Sequence, residues 1–337
     1  MKTYYRPIPM TDPARPRKAL SLAGGWCWFD RVERMTRDEG EVIPADDAPA
    51  NVLERLTAAR TPLAGIGWEA PRMMGILNVT PDSFSDGGKF LDVEAALGQA
   101  RRLRDEGADI IDIGGESTRP GAAEVAVPEE NSRTEPVIGI LANEIDIPIS
   151  IDTRKSVVAK AALQAGATLL NDVAAMEYDP CMAALAAQSG APICLMHNVG
   201  DPATMQNDPH YDDVLFDVYD YLEARVAAAE EAGIARGKVI LDPGIGFGKT
   251  LEHNLQLLRH LSLFHSLGCV LLLGASRKRF IGTISNAPEA QDRMPGSVAV
   301  ALAGALQGVQ IFRVHDMKAT RQALSLQAAV TGERWIA

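Results

Sequence analysis

Cysteine is scarce and unpatterned: Cys27, Cys181, Cys194 and Cys269 are the only four in 337 residues. No two form a C-x-x-C pair or the spacing of a zinc site, and two lie in apolar strand-like runs, so they read as reduced structural thiols. Positive charge is also short, with 33 Lys and Arg against 44 Asp and Glu and a net charge of −11. That balance disfavours bulk attraction to nucleic acid or to an anionic membrane, so any anion site has to be built locally. No apolar stretch is long enough to span a bilayer, and the first twenty residues carry Pro7, Pro9, Pro13 and Pro16 among charges in place of an apolar signal core. A cytoplasmic chain without nucleic-acid or membrane partners is expected. Asp242-Pro-Gly-Ile-Gly-Phe-Gly-Lys249 is glycine-rich but lacks the Walker spacing, which rejects a nucleotide P-loop. No Ser-His-Asp or Cys-His arrangement stands out.

What is present is a rhythm. From residue 71 onward, eight short apolar runs each lead to a polar or charged residue: Met73 to Leu77, Ile110 to Ile113, Ile147 to Ile151, Thr168 to Leu170, Ile193 to Met196, Val239 to Leu241, Val270 to Leu273 and Gln310 to Phe312. Helical patterns alternate with them, among others Asp92 to Glu106, Lys155 to Ala165, Pro180 to Gln188, Val214 to Ala232 and Thr320 to Thr331, several closed by a glycine. Eight such units predict an α/β fold, a (β/α)8 TIM barrel over 71–337, whose C-terminal strand ends converge on one mouth. Residues 1–70 differ in texture and predict an extension, with a hairpin of Trp26 to Met35 against Glu41 to Ile43 and a short helix from Pro49 to Arg60.

The strand ends supply the chemistry. Asn78 opens a turn-rich loop; its amide oxygen could ligate Mg²⁺, and a plain βα turn is the alternative. Arg119, in Glu116-Ser-Thr-Arg-Pro-Gly121, can fork onto phosphate or carboxylate, or close a loop ion pair. Asp152, Asn171 and Asp242, after the third, fourth and sixth runs, have the donors and acceptors to hold an aminopyrimidinone ring, although each could instead cap a helix. Asp112 reads as a residue that orders loops, Asp172 as a helix cap, Phe247 as an apolar wall and Lys249 as locally paired. Lys278, Arg313 and His315 come from the seventh and eighth ends, where cations can neutralise a phosphate leaving group. His197 is more often structural in such a setting.

Assembled, Met74 to Gly88, Asp112 to Gly121, Ser150 to Lys155, Leu241 to Lys249, Gly274 to Lys278 and Arg313 to Asp316 resemble dihydropteroate synthase, of the pterin-binding barrel superfamily. The resemblance covers residues 72 to about 330. It implies condensation of 6-hydroxymethyl-7,8-dihydropterin diphosphate with p-aminobenzoate, Mg²⁺ as cofactor, a homodimer and a sulfonamide target. By position it gives Asp152, Asn171, Met196, Asp242 and Lys278 to the pterin, and Asn78, Arg313 and His315 to the diphosphate with Mg²⁺. Thr118, Arg119, Pro120, Phe247 and Lys278 fall to the substrate loops and the p-aminobenzoate side. A pterin-dependent methyltransferase, or a silent pterin-binding paralogue, would share the carboxylates, but neither would need the cations of the last two strands. The extension has no counterpart in the compact bacterial enzymes, and Arg279 stands where some members carry Ser.

Overall fold

The computed structural model describes residues 2–80, 89–117, 124–199 and 209–332. Eight parallel strands, Arg72–Asn78, Ile110–Gly114, Ile149–Asp152, Leu169–Asp172, Ile193–Met196, Val239–Asp242, Val270–Leu273 and Ile311–Val314, pair in sequence order, and the last pairs with the first to close a barrel. Buried on both faces, they are written as near-continuous apolar runs. Helices cover the outside, including Lys89–Asp105, Ser156–Ala165, Met182–Ser189, Val214–Glu231 and Met317–Thr331, close to the expected spans. Gly166 and Gly190 end two of them in the left-handed conformation, at φ 119° and 67°. Val127–Leu141, Leu251–Arg259 and Met294–Ala305 were not expected. Two of these carry proline in the first turn, where its missing N–H costs nothing, and Pro136 further disguises the first as a broken segment.

Strand alternation sorts the barrel interior by height. Met74, Ile110, Leu169, Cys194, Ile240, Val270, Leu272 and Ile311 form one apolar cluster at the floor, joined from outside by Leu63 and Trp68. Two residues further along the strands the same inward face carries Asp112, Asn171, Met196, Asp242 and Arg313. The barrel is therefore a packed apolar plug beneath a polar mouth.

The extension departs from the simple hairpin. Arg31–Met35 pairs antiparallel with Gly40–Pro44 on one side and with Tyr4–Pro7 on the other, while Trp28–Phe29 leaves that sheet to pair with Leu20–Ser21. The first strand is hidden in the sequence by its prolines, yet Pro7 stands at its last position, where a missing donor is tolerated. The helix is Ala50–Thr57. Its docking is apolar and specific. Tyr4 stacks on Phe216 with ring centroids 4.3 Å apart, the Trp26 indole donates to the Ala305 carbonyl at 2.9 Å, and buried Arg60 donates to the carbonyls of Cys269 and His265 at 3.0 Å each.

Candidate active site

Register brings the candidate residues together. Asn78 pairs with Gly114, Gly114 with Asp152, and Asp152 with Asn171, so three adjoining strand junctions put these ends in one row; Met196 pairs with Asp242 further round. Arg313 reaches across the barrel to this row. Its Nε donates to Asp112 Oδ2 at 2.6 Å and its Nη2 to Asp152 Oδ2 at 2.7 Å, while Asn171 Nδ2 donates to the same Asp112 oxygen at 3.1 Å. The second oxygens, Asp112 Oδ1 and Asp152 Oδ1, and the Ser150 hydroxyl are buried without a partner among the described residues. Unmatched buried acceptors are costly, and at a barrel mouth they point to a ligand or ordered water. Burial pushes the Asp152 carboxyl up to about 7, with the Arg313 guanidinium opposing the shift.

Asp242 is held from the side. Its Oδ1 accepts the Gly244 N–H at 2.8 Å, and burial raises its pKa. The other oxygen faces Gly274, where a Cβ would stand 3.2 Å from it, so glycine keeps that oxygen approachable. Beyond, the 243–249 loop folds back on itself. Gly244 has φ +69°, and a Cβ there would lie 1.8 Å from the His197 carbonyl oxygen. Phe247 comes under Lys278, whose Nζ stands 3.9 Å from the ring centroid. Buried Lys249 donates to the Phe247 carbonyl and meets His197 Nδ1, both at 2.9 Å. Burial lowers its pKa to about 7 and holds His197 well below the usual imidazole range. His315 Nδ1 meets the Ser276 hydroxyl at 3.1 Å, and Arg277 forks onto Asp316 behind it. His315 and Arg313 thus leave one strand end for different partners.

Other candidates have structural partners. Asp172 accepts the Ala174 and Met176 N–H groups at 2.9 and 2.6 Å, bracing a turn in which Ala175 and Met176 are left-handed; it caps no helix there. Thr118, Arg119 and Pro120 lie outside the described residues, as do the last eight residues of the loop that Asn78 opens. Past the second and third strand ends is a buried network the sequence reading missed. Lys155 joins Glu116 to Glu130, and Glu116 also takes Arg154 Nε at 3.1 Å and the Val125 N–H at 2.9 Å. The only hint was Lys155 in the turn that follows the third strand, Ile149–Asp152. Asp112 likewise proves to touch Arg313, a contact legible from its place two residues before Gly114 on the inward face. For a metal, no cluster of three or more His, Cys, Asp or Glu exists among the described residues. Two hard oxygens nevertheless face one gap: Asn78 Oδ1 and Asp152 Oδ2 lie 3.8 and 3.7 Å from where a Gly114 Cβ would be. Such a donor set fits a hard cation that keeps most of its waters.

Comparison with known proteins identifies the family. The family model described as pterin binding enzyme matches residues 74–315. The dihydropteroate synthase of Escherichia coli strain K12 is 47% identical over 259 residues, covering 77% of this chain and 91% of that protein. The enzyme of Neisseria meningitidis serogroup B is 49% identical over 270 residues, covering 79% and 94%. Among solved structures, Xanthomonas albilineans dihydropteroate synthase with 4-aminobenzoic acid superposes with a TM-score of 0.77 at 46% identity, covering 82% of this chain and 99% of that one. The enzyme from that organism in complex with 7,8-dihydropteroate gives 0.73 at 43%, covering 80% and 97%.

Proposed function

This chain belongs to the pterin-binding enzymes and, within them, to the dihydropteroate synthases, and we propose from that premise how its own residues carry the reaction. It is a transferase of folate biosynthesis that joins 6-hydroxymethyl-7,8-dihydropterin diphosphate to p-aminobenzoate, giving 7,8-dihydropteroate and pyrophosphate. The observation that carries the division of roles is the ring of buried polar groups at the mouth, with Asp152 Oδ1 and Asp112 Oδ1 lacking partners among the described residues.

Asp242 and Asn171 select the pterin. The Asp242 oxygen facing Gly274 accepts from the ring's guanidine-like edge, and the Asn171 amide, with one donor already on Asp112, offers its remaining groups. Met196, in register with Asp242, packs on the ring. Lys278 and Phe247 form the wall between pterin and p-aminobenzoate, and Thr118, Arg119 and Pro120 border the latter. Loss of diphosphate breaks the methylene C–O bond and leaves a cation conjugated with the pterin. Asp152 stabilises that cation, while Arg313 and His315 hold the departing diphosphate. The arylamine nitrogen then forms the C–N bond and passes its proton to pyrophosphate, the stronger base. Asn78 is the residue we assign to Mg²⁺, with Asp152 beside it; when bound, the ion would offset diphosphate charge. A homodimer in the cytoplasm is part of the same reading, which the four free cysteines suit.

The test is pyrophosphate release with both substrates, in wild type and in Asp152→Asn. Release that requires p-aminobenzoate, and falls by about a hundredfold or more in the variant, is expected. An unimpaired Asp152→Asn enzyme would overturn the assignment. Sedimentation in solution tests the dimer.

A further inference from the structure

Lys249 is a strongly buried lysine at the mouth for which the reaction above has no use. No carboxylate lies within ion-pair distance of it among the described residues; its ammonium is spent on the Phe247 carbonyl and on His197 Nδ1, each at 2.9 Å. A lysine is an expensive way to fill an apolar gap, so what it ties together matters. His197 is fixed on the next strand: its backbone N–H donates to the Asp242 carbonyl at 2.9 Å, and its ring lies edge-on against Tyr221 with centroids 4.8 Å apart. Phe247 belongs to a loop whose other supports include the Gly246 N–H on Asn254 at 2.6 Å and the Tyr211 hydroxyl on the Gly248 carbonyl at 2.8 Å. Lys249 is the link between that loop and the fifth strand.

We infer that Lys249, backed by His197, is a positioning residue that sets the height of the Phe247 wall, and through it the Lys278 cation above, on the p-aminobenzoate side of the site. This rests on the functional reading given above. Asp242 is anchored independently, within its own strand, where it pairs with Met196. The effect of losing Lys249 therefore falls on p-aminobenzoate and spares the pterin.

In Lys249→Met, which keeps the bulk and removes the donors, KM for p-aminobenzoate should rise about tenfold or more, while kcat and the affinity for the pterin diphosphate stay within about threefold. His197→Leu should reproduce the shift, and His197→Asn, whose amide oxygen falls near the Nδ1 position, should restore most of it. Hydrogen exchange in the same variants needs no turnover, so it separates failure of this inference from failure of the functional reading. Faster exchange confined to residues 244–249 supports the inference; unchanged exchange overturns it. An unchanged KM for p-aminobenzoate, or equal losses of both ligands, overturns it as well.

Discussion

At Asp152, burial and a neighbouring cation pull against each other, and burial wins: the carboxyl holds its proton up to about 7 even with Arg313 at 2.7 Å. Because its folded pKa lies above the unfolded value of 3.8, the stabilisation it contributes is full below 3.8 and is lost as pH rises through about 7. The proposed chemistry needs the opposite form, the carboxylate, so kcat should fall on acidification through roughly neutral pH. Removing the opposing cation in Arg313→Met should move that limb to higher pH. A kcat profile that stays flat well into acid would contradict the assignment. For Asp242, Asp242→Asn should lose roughly 1.5–3 kcal/mol of affinity for the pterin substrate, the scale of one charge-assisted hydrogen bond, as measured by calorimetry. Near-normal affinity would remove it from the role of pterin selector.

Between strands and helices, the site depends on turns that admit no side chain. Gly244→Ala would need both a left-handed backbone at φ +69° and a displaced His197 carbonyl. It should weaken pterin and p-aminobenzoate binding together, in contrast to Lys249→Met, and equal titrations of wild type and Gly244→Ala would refute this. The barrel itself was legible because its strands are apolar on both faces and each stops at a chemically loaded residue, as Ile193–Met196 and Val239–Asp242 do. Helices with internal or leading proline, such as Val127–Leu141, were not, since proline reads as a break. Asp152, Asn171 and Asp242 could be picked by their place at strand ends. The contacts of Lys249 and Glu116 could not be read in the same way, because they join residues 52 and 39 positions apart that only the folded barrel brings together.

Across the molecule, Arg60 is among the ties between the extension and the barrel. Arg60 is buried without a carboxylate and satisfies the carbonyls of Arg55, Ala58, His265 and Cys269. Leaving such acceptors unpaired costs about 1–3 kcal/mol. Arg60→Met should therefore lower Tm by several degrees while leaving turnover at low temperature intact, since no residue of the site lies in the extension; a thermal melt beside the activity assay decides it. Trp26, hydrogen-bonded to the Ala305 carbonyl 279 residues away, carries a different consequence. It joins residues far apart in sequence, and the first barrel strand is sealed only by Ile311–Val314. A chain that stops before residue 300 lacks both the Ala305 acceptor for Trp26 and the strand that closes the barrel, and it should be protease-sensitive.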